Sequence, residues 1–294
     1  MGSVLKINLI EKSYGTVKAL KGVSFEVPKG CVFGVLGPNG SGKTTLLGIL
    51  LDVLKADNGD YHWENYSSAT DARKHIGSLL ETPNFYHYLS AYDNLEITAN
   101  IKGRGLNDID NVLKKVNLYE RRHSKFNTFS LGMKQRLAIA GALLGSPDIL
   151  VLDEPTNGLD PVGISEIREL IKQLSTEGIT IIMASHLLDE VEKVCTDVAI
   201  LKLGNLLTSG PVMDVLNDED WIELNSSNNE ALASLLKKHP QVKNIKVDRM
   251  IQVSFAKNFS TEDINQYCFE NGIVLNHLQK RKRSLESKFM EMTK

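Results

Sequence analysis

The stretch GPNGSGKTT, from Gly37 to Thr45, limits the possible folds of this chain more than any other. It follows the apolar, β-branched run VFGVLG and precedes the apolar, helix-like run TTLLGILLDVL. This is the strand–GxxxxGK(S/T)–helix order of a phosphate-binding loop. In such a loop the backbone N–H groups surround phosphate oxygens, and the lysine reaches the β- and γ-phosphates. The hydroxyl of the residue after the lysine can ligate Mg²⁺. The structural alternative is a glycine-rich turn that merely contains a lysine. We predict a nucleotide site formed by Gly37, Pro38, Asn39, Gly40, Ser41, Gly42, Lys43, Thr44 and Thr45.

Two adjacent acids end a second apolar strand, ILVLDEP (Ile149–Pro155). Ligands of open α/β sheets bind beyond the carboxyl ends of the strands, so Asp153 and Glu154 are expected to face the same crevice as the phosphate loop. Asp153 is placed to hold Mg²⁺, directly or through water. Glu154 is then free to orient and deprotonate an attacking water. A purely structural pair would need basic partners, and the sequence shows none nearby.

The remaining pattern of the first two thirds predicts an α/β core. The runs Thr180–His186 and Asp197–Gly204 are apolar on both faces, as in a parallel sheet covered by helices. Between them and the acids, GISEIRELIKQLSTEG has helical spacing of its apolar residues. The segment Val4–Val27 alternates as antiparallel strands do, and residues 85–130 have the pattern of a helical insertion.

A second, smaller domain is predicted at the C-terminal end. A glycine, a proline and an acidic run mark a linker within Ser209–Trp221, which suggests domains at 1–212 and 213–294. The following elements read strand, helix, strand, strand, helix, strand and a terminal helix, the order of an α+β ferredoxin-like module.

The stretch FSLGMKQR, Phe129 to Arg136, has the composition of another helix start. The first N–H groups of a helix are unpaired and its dipole favours negative charge, so such a start is suited to an anion. It lies far along the sequence from the phosphate loop, which raises the question of which phosphate it serves.

Composition and charge exclude several other functions. A formal net charge of -2 gives no general case for nucleic-acid binding, and the basic run KRKRS (Lys280–Ser284) reads as a solvated face. The odd, widely spaced cysteines Cys31, Cys195 and Cys268 form no metal motif. Without a signal peptide or an apolar run long enough to span a membrane, a cytosolic chain is expected.

The motifs together resemble the nucleotide-binding subunit of ABC transporters. The phosphate loop, FSLGMKQR, LDEP, NGLD (Asn157–Asp160) and ASH (Ala184–His186) occur in that family's order, and the likeness covers about Val4 to Pro211. The resemblance implies an ABC-type P-loop NTPase fold and a Mg²⁺-dependent ATPase that powers a separate membrane permease. It also implies a head-to-tail pair with a second copy or a homologous ATPase subunit.

Specific roles follow from this resemblance. Ser130 and Gly132 match the signature motif, usually LSGGQ, which faces the ATP held by the second subunit. Tyr14 matches the aromatic residue that stacks on adenine, and Asp160 matches the acid that crosses the interface. His186 matches the histidine that contacts the γ-phosphate, although a histidine read alone would more often be satisfied within the core.

The chain departs from the family pattern at two places. Leu131 and Met133 replace a glycine and a glutamine of the signature, while Glu81 replaces the usual glutamine of the segment that senses γ-phosphate and meets the permease. Glu81 can still bind Mg²⁺ or water but adds negative charge. Together with the following PNFYHYLSAYDNL, it resembles the bacitracin and lantibiotic self-protection branch of ABC ATPases. The tail Ser284–Thr293 resembles the one common in the same broader group, whose permeases are separate chains.

The resemblance implies that the segment from Glu81 to Leu95 contacts the permease and places the protein peripherally on the inner face of the membrane. Its aromatic residues suit an interface, and packing within the helical insertion is the alternative for about half of these rings. A soluble ABC ATPase with a regulatory or ribosome-directed role is the rival function. Against it, the chain has neither a second nucleotide domain nor a long coiled-coil insertion, and it retains Glu154 and His186.

Overall fold

The structure is a computed structural model that describes residues 2–64, 66–216, 221–255, 260–281, 285–286 and 288–289. The chain divides into two compact units, with the boundary between Val215 and Leu216. The basic run Lys280–Ser284 and the tail Ser284–Thr293 lie largely outside the described residues, so the predictions made for them stay open.

The strands of the first unit form two sheets within the described residues. A mixed sheet has the order β5-β6-β7-β3-β8-β9, parallel except for its antiparallel edge strand β9, and a smaller antiparallel sheet has the order β2-β1-β4. The strands are β1 Ser3–Tyr14, β2 Val17–Pro28, β3 Val32–Leu36, β4 Asn58–Trp63, β5 Ile76–Leu79, β6 Ile149–Asp153, β7 Thr180–Ser185, β8 Asp197–Lys202 and β9 Asn205–Pro211.

Side-chain caps fix several of the helices in this unit. The Ser90 hydroxyl and the Asp93 carboxylate form a reciprocal capping box at the start of the third helix. Asp160 caps the sixth helix, where Pro161 occupies the first turn. The helices are α1 Lys43–Leu50, α2 Ala69–His75, α3 Ala91–Lys102, α4 Ile109–Lys115, α5 Leu131–Leu143, α6 Pro161–Thr176, α7 Leu188–Val194 and α8 Val212–Leu216.

The main core of the first unit lies around the central parallel strands. Every residue of β3, β6 and β7 is buried, which is the expected pattern for a parallel sheet with both faces covered. Phe25 of β2 stacks on Phe33 of β3 with a ring separation of 5.2 Å, so the antiparallel sheet is packed directly against the strand that leads into the phosphate loop. This packing positions β1 and β2 beside that loop.

The predicted linker at Ser209–Trp221 is wrong over its first part. Gly210 and Pro211 end strand β9, and α8 follows at once. A proline is compatible with this strand because β9 is the edge of the sheet and needs hydrogen bonds on one side only. Gly210 and Pro211 therefore lie at the end of an edge strand and do not form a flexible linker.

The second unit is a separate α+β layer with its own core. Its strands follow the order β11-β12-β10-β13 with every neighbouring pair antiparallel, the split β-α-β arrangement of ferredoxin-like modules. Ile222, Leu224, Leu236, Val253 and Ile264 are among its fully buried side chains. The elements are β10 Trp221–Ser226, α9 Asn229–Lys237, β11 Val242–Val247, β12 Ile251–Phe255, α10 Thr261–Glu270 and β13 Leu275–Arg281.

Cys31, Cys195 and Cys268 are buried free thiols, and burial raises the pKa of each of them. Of the helices formed by the described residues, none is both long enough and apolar enough to cross a membrane.

Candidate nucleotide site

The phosphate loop is a tight turn between β3 and α1 that only glycine can form at its closest contacts. Gly37 and Gly42 both have positive φ, at 155° and 107°. A Cβ on Gly37 would lie 2.3 Å from the Leu201 carbonyl oxygen, and one on Gly42 would lie 2.6 Å from the Ala19 carbonyl oxygen. Neighbouring backbone therefore fixes the loop from two sides, with the first turn of α1 directly after it.

Lys43 lies under this loop, with only 5% of the residue exposed. Its Nζ donates hydrogen bonds to the carbonyl oxygens of Gly37 at 2.9 Å and Pro38 at 3.3 Å. The same ammonium lies 3.4 Å from Glu154 Oε1. A buried charge needs such partners, and these hold the lysine at the center of the predicted site.

Asp153 ends β6 beside the loop and is 2% exposed. Burial raises the pKa of its carboxyl group, a hydrogen bond with the Thr44 side chain opposes that rise, and the nearby charges of Glu154 and Glu81 add to it. Oδ1 of Asp153 and the Ser41 hydroxyl oxygen are buried without a hydrogen-bond partner among the described residues. The sequence predicted Asp153 from its position after an apolar strand.

These oxygen atoms suit a hard cation. Mg²⁺ binds oxygen ligands, often one carboxylate together with phosphate oxygens and water. The unpartnered Asp153 oxygen next to the Thr44 hydroxyl offers a carboxylate and an alcohol of that kind. The residues present at this position therefore fit the ion that the sequence predicts.

Glu81 lies in an exposed loop after β5, and its charge acts on Asp153. Its φ of 57° is in the left-handed region, which is uncommon for a residue other than glycine. Backbone strain of this kind is concentrated at functional sites. Glu81 as a metal ligand stays a prediction.

Glu154 follows the end of β6 and has a left-handed backbone as well, with φ of 48°. Its Oε2 is 2.8 Å from Nδ1 of His186, a residue that comes directly after β7. The side chain of Glu154 is therefore held between His186 and Lys43. The sequence argument that no basic partner lies near the acids is wrong, because the neighbouring parallel strand and the phosphate loop supply two partners that are distant along the chain.

An open cavity of about 820 Å³ lies over the phosphate loop. Tyr14, Lys43, Thr44 and Glu154 line it together, so the structure brings the aromatic residue, the loop and the second acid to one place. Tyr14 is 48% exposed and presents its ring at the surface. The sequence did not predict six further residues that line the cavity. Their only sequence signal was a position shortly after Tyr14 or, for the last of them, in the turn after β8. They are Thr16, Val17, Lys18, Ala19, Lys21 and Leu203.

The predicted signature residues do not line this cavity. Ser130 caps α5, with its hydroxyl oxygen accepting from the Met133 N–H at 3.3 Å. Asp160 caps α6 by accepting from the Gly163 N–H at 2.8 Å. A Cβ on Gly158 would lie 3.2 Å from a methyl of Leu131, so the start of α5 packs against the turn before α6. Within one chain, both capping residues have local structural roles, and their predicted roles toward a second chain stay predictions.

The raised pKa of Asp153 gives a stability prediction for the protein without nucleotide or metal. The folded state binds the Asp153 proton more tightly than the unfolded state, so the free energy of unfolding falls as pH rises from the ordinary pKa of 3.8 through the raised value. We expect Asp153→Asn to increase the guanidinium midpoint at pH 7 in EDTA, and this gain to shrink as the pH approaches 3.8.

The exposed Asp214 offers a matched control, because Asp214→Asn removes the same charge away from the site. We expect that variant to leave the midpoint nearly unchanged. Circular dichroism during guanidinium titration measures both. An Asp153→Asn midpoint at or below that of the unaltered protein at pH 7 would contradict this account.

Comparisons with known proteins identify the family of this chain. A family model described as ABC transporter matches residues 20–157. The bacitracin transport ATP-binding protein BcrA of Bacillus licheniformis is 37% identical over 301 residues, covering 99% of this chain and 98% of that protein. The lantibiotic transport ATP-binding protein SrtF of Streptococcus pyogenes is 43% identical over 205 residues, covering 69% of this chain and 89% of that protein.

Among solved structures, the ATP-binding cassette MJ0796 has been described as a dimer in a post-hydrolysis state with ADP and Pi. It is 28% identical with a TM-score of 0.64, covering 71% of this chain and 98% of that one. The predicted ABC-type P-loop fold is thereby confirmed. With a phosphate loop, paired acids and a relative that matches along nearly its whole length, the chain belongs to the ABC transporter ATP-binding proteins and is the ATP-hydrolysing subunit of such a system.

Proposed function

We propose that this subunit hydrolyses Mg²⁺-ATP in a head-to-tail pair, with a second copy or a homologous ATPase subunit, and thereby drives a separate membrane permease. The cargo we propose is a peptide antibiotic of the bacitracin or lantibiotic kind, exported for resistance. The observation that carries the chemistry is the Glu154 carboxylate, held at the mouth of the phosphate loop between Lys43 at 3.4 Å and His186 at 2.8 Å.

Each of these side chains has a task in hydrolysis. Glu154 orients the attacking water and accepts its proton, and His186 holds the carboxylate in place by its contact with Oε2. Lys43 can move from the loop carbonyl oxygens to the β- and γ-phosphates, which it would neutralise. Tyr14 stacks on the adenine. Glu154 and His186 are therefore the proposed catalytic residues.

Thr44 and Asp153 would hold Mg²⁺, with Glu81 as an additional ligand. Bound there, the ion supplies positive charge that stabilises the negative charge on the β- and γ-phosphates. The unpartnered, buried Asp153 oxygen supports this assignment. The strained backbone and nearby charge of Glu81 support its inclusion.

The exposed helix start at Ser130 and Gly132 is proposed to bind the γ-phosphate held by the other subunit. No acidic residue occupies the first turn of α5, and Leu131 is 49% exposed beside Ser130. The first N–H groups of α5 that Ser130 does not cap, together with the helix dipole, favour an anion. Asp160, in the adjacent turn, would cross the same interface. The dimeric description of MJ0796 supports this arrangement.

The permease is proposed to bind the segment from Glu81 to Leu95. Phe85 of this segment packs on Phe126 with ring centroids 5.4 Å apart, whereas Tyr86 and Tyr88 are 51% and 66% exposed. Exposed aromatic residues are enriched at protein interfaces. Through this contact the subunit would lie on the inner face of the membrane. The regulatory or ribosome-directed alternative is not favoured, because relatives that match along the chain are described as transport proteins.

Replacing Glu154 with Gln tests the hydrolysis mechanism. We expect the ATP turnover rate to fall by about 10²- to 10⁴-fold, because the amide cannot accept the proton of the attacking water. ATP binding should persist, since Lys43 and the loop remain. The measurement is phosphate release together with equilibrium nucleotide binding. Glu120→Gln, at an exposed site, should retain full turnover. Unchanged turnover in Glu154→Gln would contradict the assigned role.

A second experiment tests the permease surface. Tagged Glu154→Gln protein, incubated with Mg²⁺-ATP and detergent-solubilised membranes of the host, should capture a multi-spanning protein in stoichiometric amount. Adding Tyr86→Glu and Tyr88→Glu should reduce capture at least about tenfold, because the charges oppose burial of these positions. ATP binding by that variant should remain.

Phe269 provides the control for this experiment, as it is 70% exposed and belongs to the second unit. Phe269→Glu should capture the same protein as the tagged parent. Recovery of ribosomal proteins in place of a membrane protein would refute the transport function and favour its rival. Equal capture by the variant with Tyr86→Glu and Tyr88→Glu would instead show that the captured protein binds another surface.

A further inference from the structure

Two lysines at the start of β2 face the nucleotide cavity without a role in the mechanism above. Lys18 and Lys21 line the cavity together with Tyr14, Gly40 and Lys43. Both residues are exposed at its wall. Their contribution to the cavity depends on where their backbone lies and on whether their charges are already paired.

The backbone that carries these lysines is fixed against the phosphate loop. A Cβ on Gly42 would meet the carbonyl oxygen of Ala19 at 2.6 Å and a methyl of Leu20 at 2.8 Å, so the two residues between the lysines lie directly on the loop. Gly204 links the two segments, since its N–H donates to the Ser41 carbonyl oxygen at 3.1 Å and its own carbonyl oxygen accepts from the Lys21 N–H at 2.9 Å. The wall and the loop therefore form one rigid frame.

The charges of Lys18 and Lys21 are not neutralised by an ion pair within the described part of the chain. Glu11 lies opposite Lys21 in the strand register, but its carboxylate accepts a hydrogen bond from Asn58 Nδ2 at 3.0 Å. The cavity's one acidic lining residue among those described, Glu154, is held by Lys43 and His186. Two positive charges at the wall are thus left facing the cavity.

We propose that Lys18 and Lys21 form a cationic wall beside the phosphate loop, which attracts the phosphate groups of the nucleotide and so increases its affinity. An ammonium group recognises phosphate as a point charge, and a cavity wall of one sign raises the local concentration of a polyanion. This inference rests on the nucleotide site of the proposed function. Lys18 and Lys21 belong neither to the phosphate loop nor to the paired acids, so their role in binding phosphate is additional to that of these motifs.

Equilibrium binding of Mg²⁺-ADP, which is not hydrolysed, tests the proposal. We expect Lys18→Ala with Lys21→Ala to weaken binding about three- to tenfold at about 0.1 M salt, as suits partly exposed charges. At about 1 M salt, where screening acts over about 3 Å, most of that difference should disappear. Lys18→Arg with Lys21→Arg keeps both charges and should retain the original affinity.

Lys29 and Lys55 allow a control with the same change in net charge, because both are exposed and neither lines the cavity. Lys29→Ala with Lys55→Ala should bind Mg²⁺-ADP as the original protein does. Unchanged affinity in the Lys18 and Lys21 alanine variant would overturn the proposal, as would an equal loss at both salt concentrations. An original protein unable to bind Mg²⁺-ADP would overturn the nucleotide site itself, which is a distinguishable failure.

Discussion

The contact of Glu154 with Lys43 and His186 joins the three segments on which the site depends. Lys43 belongs to the first turn after the phosphate loop, Glu154 follows β6 and His186 follows β7. Because β7 lies between β3 and β6 in the sheet, the three strand ends open on one edge, and a single carboxylate can contact both cations. The distances of 3.4 Å and 2.8 Å therefore depend on the strand order of the whole sheet. The geometry of the site is therefore determined by the topology of the fold.

The site contains a buried charge and strained backbone, which lower the stability of the folded protein. Asp153 is a buried carboxylate whose pKa is raised by burial and by neighbouring acids, and Glu81 and Glu154 both have left-handed backbones. Such features destabilise a fold and persist where surrounding structure fixes them. Here the surrounding structure is formed by the fully buried strands β3, β6 and β7, together with the close contacts at Gly37 and Gly42. Binding of a cation would offset the negative charge of these acids, so cation binding and stability are coupled.

The phosphate loop and the acids could be predicted from sequence because each motif lies within a few consecutive residues. The basic partners of Glu154 could not, because they depend on which strands become neighbours. The predicted linker failed for a related reason, since Gly210 and Pro211 are compatible with an edge strand whose edge position only the sheet reveals. The wall formed by Lys18 and Lys21 was missed because its position requires the packing of β2 on Gly42. The roles proposed for Ser130 and Asp160 involve a second chain, so one chain shows only their capping bonds.

We propose that the helix start at Ser130 completes the nucleotide site of another copy, which would give a role to both predicted anion-binding segments. Sedimentation equilibrium of Glu154→Gln protein with and without Mg²⁺-ATP tests it most directly. We expect a monomer that becomes a dimer with Mg²⁺-ATP, and loss of that dimer when Ser130→Glu is added. Ser68→Glu removes an equivalent cap from α2 and should leave the dimer intact. A dimer that forms equally well with Ser130→Glu, or a protein that stays monomeric with Mg²⁺-ATP bound, would contradict the claim.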